Sequence, residues 1–148
     1  MLPIFHFISG LILAILVYYG FEITIFQAFL IFFGAFFIDA DHYFWYVYEK
    51  KDLSFKKARN YFMNSYFNRL KKPKVMVHEK RTMFFHTFEF LLFTLILSYF
   101  WKGFLFIWFG MILHSLLDII EMSHDKTLKY RQFFLYNHFF KTKKIKNR

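Results

Sequence analysis

The sequence predicts an all-α fold, a four-helix transmembrane bundle with amphipathic helices at the membrane interface. The 148-residue chain is 57% hydrophobic and contains 26 phenylalanines. Its apolar residues are concentrated in four runs, at residues 2–19, 23–38, 83–101 and 104–122. Runs of about 20 apolar residues are long enough to cross a bilayer as helices. At this length, residues 1–148 are expected to form a single integral membrane domain.

The first two runs form a predicted helical hairpin. Run 2–19 is interrupted only by His6, Ser9 and Gly10, and Gly20 and Glu22 mark the turn before run 23–38. No Lys or Arg precedes the first run and no small-residue cleavage site follows it, which is not typical of a signal peptide. We therefore expect this run to remain in the mature protein.

Residues 43–81 are predicted to form a basic segment at the membrane interface. The segment opens with four consecutive aromatic residues, Tyr43 to Tyr46, and aromatic side chains favour the membrane–water boundary. Apolar residues then recur at helical spacing among basic ones. With Ser54 as N-cap, this pattern predicts an amphipathic helix over residues 54–70.

The last two apolar runs form a second predicted hairpin, joined by Lys102 and Gly103. The tail, residues 123–148, is basic and aromatic. We expect it to form another interfacial helix, followed by a disordered basic end after Lys141.

The distribution of basic residues predicts the orientation of the chain. The formal net charge is +10, and 19 of the 20 Lys and Arg residues fall in residues 43–81 (11) and 123–148 (8), the remaining one being Lys102. If the four spans alternate, these 19 lie on one side, which is the cytoplasmic side by the positive-inside rule. The sequence thus predicts a multi-pass protein of the cell membrane with cytoplasmic termini. Membrane lipids are the expected partners, and no nucleic acid is needed to explain the charge.

Ionisable residues occur near the start of the first and third apolar runs and near the end of the second and fourth. If the four helices alternate in direction, these ends lie at the same face of the bundle. Placing such groups in hydrocarbon costs free energy, so they rarely occur there without an interaction partner or a function. His114 and Asp118 are four residues apart and His86 and Glu89 three apart, so each pair shares a helix face. Because the chain has no Cys, a metal would be held by imidazole and carboxylate groups, which suit zinc, manganese, iron or magnesium. The candidate metal ligands are His6, Asp39, Asp41, His42, His86, His114 and Asp118.

Other interpretations remain open for these residues. Taken singly, His6 would contact lipid head groups, and His114 with Asp118 would be a buried pair that stabilises helix packing. A polar packing network or a head-group-binding site in a non-enzymatic membrane protein is therefore the main alternative. A di-iron oxidase or desaturase would show paired-histidine boxes, which this sequence lacks. The remaining histidines lie in basic segments and are expected to be solvated: His78, His124 and His138.

Short motifs in the sequence resemble a known family. They are His6-x3-Gly10, Asp39-x-Asp41-His42, an Arg-containing stretch that ends at His86-Thr87, and His114-x3-Asp118. In this order they resemble the small membrane-bound metal-dependent hydrolases called YdjM-like or LexA-regulated, a group distantly similar to zinc-dependent phospholipase C and P1 nuclease. Two departures are Ile38, where the family usually has Pro, and Arg81, which is one residue further from His86 than in the family.

The resemblance implies an all-helical hydrolase that uses His and Asp ligands to zinc. It would cleave a phosphoester of a lipid-like substrate at the cytoplasmic interface, with a metal-activated water as the nucleophile. Asp41 would be a ligand or the general base, and His42 a ligand or the partner of one. Lys80 or Arg81 would hold a phosphate oxygen. Without the resemblance, the residues indicate only a metal site in a membrane protein.

Overall fold

The computed structural model describes residues 3–71, 83–128 and 133–135, and these residues form helices, turns and loops with no strand among them. This confirms the prediction of an all-α fold. The elements in chain order are α1 (Pro3–Phe21), α2 (Ile25–Phe37), α3 (Ala40–Lys50), α4 (Phe55–Lys71), a single 3-10 turn (Phe84–His86), α5 (Phe88–Leu97) and α6 (Gly103–His124).

Within the described chain, three helical stretches are long and apolar enough to cross a membrane. They are Pro3–Phe21, the stretch Ile25–Lys50 that contains α2 and α3, and Gly103–His124. Many of their large apolar side chains point outward, including Leu16, Phe26 and Ile120. An outward apolar surface is what helices in contact with lipid require.

The hairpin between α1 and α2 turns at residues 22–24. Glu22 adopts a positive φ of 50°, and Thr24 then caps α2. The Gln27 backbone N–H donates to Thr24 Oγ1, and the Thr24 backbone N–H donates to Gln27 Oε1. This reciprocal capping box satisfies two backbone donors that the first turn of a helix leaves unpaired.

The second predicted span and the predicted interfacial segment are joined almost without a break. The helix breaks only at Ile38 and Asp39 and resumes at Ala40 as α3, so the aromatic cluster of residues 43–46 continues the span directly. The break is short because the Asp41 and His42 N–H groups donate to the Ile38 and Asp39 carbonyls.

Helix α4 folds back against α3 through aromatic contacts, with Trp45 and Tyr46 both packing on Tyr61. As predicted, Ser54 caps this helix, since its Oγ accepts from the Lys57 backbone N–H. Close by, the Lys57 ammonium lies 2.8 Å from Asp52 and lowers the pKa of that carboxyl below its usual value.

Helix α5 is shorter than the predicted third span of residues 83–101. It covers ten residues, Phe88–Leu97, or about 15 Å against the roughly 30 Å of a bilayer core. It begins late because Thr87 caps it, accepting from the Phe90 N–H, and the preceding residues form the 3-10 turn. It ends at Ser98, where tighter turn hydrogen bonds replace the helical ones. By its length, α5 therefore spans about half of a bilayer core.

Two glycines allow α2 and α6 to cross with their backbones in contact. A Cβ atom added at Gly34 would lie 2.1 Å from the Ile107 carbonyl oxygen, and one at Gly110 would lie 2.0 Å from that of Ile31. Small residues at helix crossings permit this approach in membrane bundles. The crossing brings the carbonyl of Ala35 beside His114, one turn beyond Gly110.

Several predictions fall outside the described residues. Lys80, Arg81 and His78 lie in residues 72–82. Most of the predicted tail helix and the basic end after Lys141 lie in residues 129–132 and 136–148.

Candidate metal centre

Five of the seven predicted ligands come together at one place in the structure. His6 lies in the first turn of α1, Asp39 in the break between α2 and α3, His86 at the end of the 3-10 turn, and His114 and Asp118 on α6. They form two overlapping groups, His6–His114–Asp118 and Asp39–His86–His114, in each of which the candidate ligand atoms lie within 4.8 Å of one another. We call these five residues the His/Asp cluster.

His114 is the residue that the two groups share, and its orientation is set by the backbone. Its Nδ1 lies 2.8 Å from the Ala35 carbonyl oxygen, which can only accept, so Nδ1 carries the proton. In the neutral ring this leaves the Nε2 lone pair directed into the cluster. His114 Nε2 is 3.2 Å from His86 Nε2, 3.6 Å from an oxygen of Asp39 and 3.7 Å from an oxygen of Asp118.

His86 is oriented by Asp41, which lies behind its ring. One oxygen of Asp41, Oδ2, accepts a hydrogen bond from the Phe85 backbone N–H and lies 3.3 Å from His86 Nδ1. His86 Nε2 then faces the cluster, 3.9 Å from Asp39 and 3.8 Å from Asp118. A carboxylate behind a histidine is the usual device that holds a metal-binding imidazole in one tautomer. The structure thus places Asp41 as the partner of His86 and outside both ligand groups.

His6 is buried against the ring of His114. The two rings stack with centroids 3.7 Å apart and planes 16° apart, and His6 is only 1% exposed. In the described chain its Nδ1 has no hydrogen-bond partner, and Nε2 lies 3.3 Å from Asp118 Oδ1 without a well-aligned hydrogen bond. Leaving buried polar atoms unpaired costs about 1–3 kcal/mol each. A cation that accepts the lone pair of one ring nitrogen would remove part of this cost.

His42 borders the cluster on its more open side. Its Nδ1 is 3.5 Å from Asp39 Oδ1, its side chain is 34% exposed, and its ring packs edge-on against Phe62 of α4. It belongs to neither ligand group. Asp39 is also partly open, at 18%, and its Oδ2 makes no hydrogen bond within the described residues.

Three further acidic residues that follow the same faces in sequence do not join the cluster. Glu89 turns away from it, and its Oε1 accepts from the Leu135 backbone N–H. Glu121 and Asp125 lie outside both ligand groups, beyond Asp118 on α6. Sequence spacing alone could not separate these residues from Asp118.

The spacing of the cluster fits a divalent cation. With bonds of 2.0–2.2 Å in tetrahedral geometry, ligand atoms sit about 3.4 Å apart, close to the 3.2–3.9 Å separations around His86 and His114. The two Nε2 atoms, 3.2 Å apart, cannot both carry protons. Among residues 3–71, 83–128 and 133–135, neither Asp39 nor Asp41 pairs with a Lys or Arg. Buried carboxylates need a compensating charge, and a bound cation supplies one.

The class of protein is defined by its fold and this cluster. It is an all-helical protein with helices apolar enough to cross a membrane and a buried His/Asp group that could hold a metal ion. The chain matches no family model, no curated protein and no solved structure.

Proposed function

We propose that this chain is a membrane-bound, metal-dependent hydrolase that cleaves a phosphoester of a lipid-like substrate. The observation that carries the proposal is that three imidazoles and two carboxylates form two overlapping, largely buried groups that share His114, with Nε2 of both His86 and His114 turned inward. A polar packing network would instead pair each buried group with a neighbour, yet His6 Nδ1 and Asp39 Oδ2 have no hydrogen-bond partner in the described chain. The phosphoester part of the proposal is supported by the motif resemblance alone.

The proposed topology has four crossings in the cell membrane with cytoplasmic termini. Helix α5 would begin at the depth of the His/Asp cluster and end near the loop at Lys102. It would then have to cross only part of the bilayer, for which ten residues are enough. The 3-10 turn that precedes α5 would then lie toward the cytoplasmic side. The position of Lys102, alone between α5 and α6, supports this orientation.

Zinc is the proposed metal, held by His6, Asp39, His86, His114 and Asp118. When bound, such a cation lowers the pKa of water and polarises a phosphoryl oxygen. The chain itself supplies orientation: the Ala35 carbonyl and the Asp41 carboxylate hold His114 and His86 in place.

Proton transfer is assigned to Asp39. Its Oδ1 faces His86 and His114, whereas its Oδ2 is buried without a hydrogen-bond partner among the described residues, so Oδ2 would be free to accept a proton from an attacking water bound at the cluster. The water oxygen bonds to phosphorus, the bond from phosphorus to the alcohol oxygen breaks, and the proton passes to the departing alcohol. Lys80 and Arg81, outside the described residues, are proposed to bind phosphate oxygens.

The test compares two histidines of α6. His114→Ala removes the shared ligand, whereas His124→Ala changes a side chain that is 90% exposed. Metal content is measured on the purified full-length protein, and phosphate release is measured with phosphatidic acid and isoprenoid phosphates, with and without a chelator. We expect stoichiometric zinc and chelator-sensitive hydrolysis in the wild type and in His124→Ala, and the loss of both in His114→Ala.

Full metal occupancy in His114→Ala would show that the cluster is not the binding site. Stoichiometric metal without hydrolysis of either substrate class would favour the alternative, a non-enzymatic site that binds lipid head groups.

A further inference from the structure

A half-open groove lies beside the His/Asp cluster, between α5 and α6. The space there amounts to about 200 Å³ only when the adjoining open surroundings are counted with it. Four of its six lining residues are apolar and two are polar. It is lined by His86, Phe88, Leu91, Ser115, Ile119 and Phe133. His86 makes the groove continuous with the cluster, so a ligand in the groove could reach the cluster with one end.

Ser115 is the unusual residue in this lining. Serines inside helices commonly donate to the carbonyl one turn before them, which satisfies the hydroxyl. Ser115 is only 7% exposed, yet its Oγ makes no hydrogen bond within the described residues. A buried hydroxyl without a partner, directly after the shared ligand His114, is explained if a bound molecule supplies an acceptor there.

One wall of the groove comes from a distant part of the chain. Phe133 stacks on Phe88, its carbonyl accepts from the Phe88 backbone N–H, and Leu135 is held by Glu89. These contacts fix residues 133–135 across the start of α5, immediately beside His86. The segment thus forms one wall of the apolar space, next to His86.

We propose that the groove binds the acyl chain of an acylglycerol phosphate. The chain would pack on Leu91, Ile119 and Phe133, and the Ser115 hydroxyl would donate to the ester oxygen of the lipid. This assignment rests on the proposed function for the phosphate end. Because the Ser115 hydroxyl needs an acceptor, it favours acylglycerol phosphates, whose ester oxygen can accept, over alkyl or isoprenoid phosphates, which have no ester oxygen at that position.

The test uses photolabelling, which needs no turnover. Full-length protein in detergent is labelled with phosphatidic acid that carries a diazirine in its acyl chain, and the labelled peptides are mapped. Ile119→Phe fills the groove, and Ile120→Phe makes the same change at a neighbouring, exposed position. We expect label on α5, α6 or residues 133–135, reduced at least five-fold in Ile119→Phe and unchanged in Ile120→Phe. Equal labelling of the two variants would overturn the proposal.

A second variant tests the ester contact and does not depend on the stability of Ile119→Phe. Competition against the photolabel is measured with lysophosphatidic acid, which has an ester, and with hexadecyl phosphate, which has none. In Ser115→Ala, lysophosphatidic acid should compete roughly two- to ten-fold less well, as expected for one lost hydrogen bond, and hexadecyl phosphate should be unaffected. Equal effects on both competitors would refute the role of Ser115. Groove labelling without hydrolysis would refute the enzyme proposal and leave the lipid site intact.

Discussion

Replacing Gly110 by alanine should separate α2 from α6 and disturb the His/Asp cluster at a distance. The new Cβ would lie 2.0 Å from the Ile31 carbonyl oxygen and 2.6 Å from the Ala35 nitrogen, whereas ordinary contact begins at 3.4 Å. The obstacle is backbone on both sides, so no side-chain rotation relieves it. The helices must move apart by about 1.4 Å at this point, and overpacking of this kind typically costs about 1–3 kcal/mol.

The same displacement reaches the cluster because His114 lies one turn beyond Gly110. Its hydrogen bond to Ala35 is 2.8 Å long, and a shift of about 1 Å takes it beyond hydrogen-bond range. We therefore expect Gly110→Ala to lower both the unfolding temperature and the content of the proposed metal. The measurements are thermal unfolding in detergent and metal analysis of the purified protein.

Gly20→Ala is the matched control for this prediction. Gly20 also lies in a helix, but an added Cβ meets nothing within 4 Å. Alanine favours helix by about 1 kcal/mol over glycine, so this variant should be as stable as the wild type or slightly more so. An unfolding temperature and zinc content in Gly110→Ala equal to those of Gly20→Ala would refute the close crossing.

Three further predictions test other levels of the structure. Reporter fusions at Lys102 and at the C-terminus should report opposite sides of the membrane, and signals from the same side would exclude four crossings. Asp41→Asn should weaken zinc binding about 10–100-fold in chelator competition, because His86 loses the carboxylate that orients it, and unchanged affinity would contradict that role. Thr24→Ala should destabilise the protein by about 1 kcal/mol through loss of the α2 cap, while Thr24→Ser retains it; equal unfolding temperatures for the two would exclude the cap.

Much of the helical architecture was predictable because lipid-facing helices carry long apolar runs. The ends of α1 and α6 lie within two residues of the predicted spans. The short α5 was not predictable from hydropathy, because residues 83–101 are apolar whether or not they are helical. Its length depends on the Thr87 cap and on the 3-10 turn that carries His86 inward. The continuation of α2 into α3 was missed for a similar reason, since the polar residues at 39–42 looked like the end of a helix.

The grouping of His6, Asp39, His86, His114 and Asp118 followed from alternating helices, because topology alone brings those helix ends together. The distinct role of Asp41 could not be deduced, since it depends on the Phe85 N–H and the ring of His86, 45 residues away in the chain. Ser115 and Phe133 were also missed, since a serine in an apolar helix and a phenylalanine in an aromatic tail carry no signal of their own. The close crossing at Gly34 and Gly110 could have been predicted, because small residues in apolar helices mark places where helices cross closely.

The His/Asp cluster is built from residues that are far apart in the chain, so it can form only late in synthesis. Its members come from α1, the middle of the chain and α6, and the shared residue His114 is the fourth of the five to be synthesised. A nascent chain that has inserted only through α5 would hold His6, Asp39 and His86 without the residue that joins them. With the proposed metal site and membrane topology, metal uptake would mark the end of membrane insertion, and chains arrested before α6 would carry polar groups without a compensating charge.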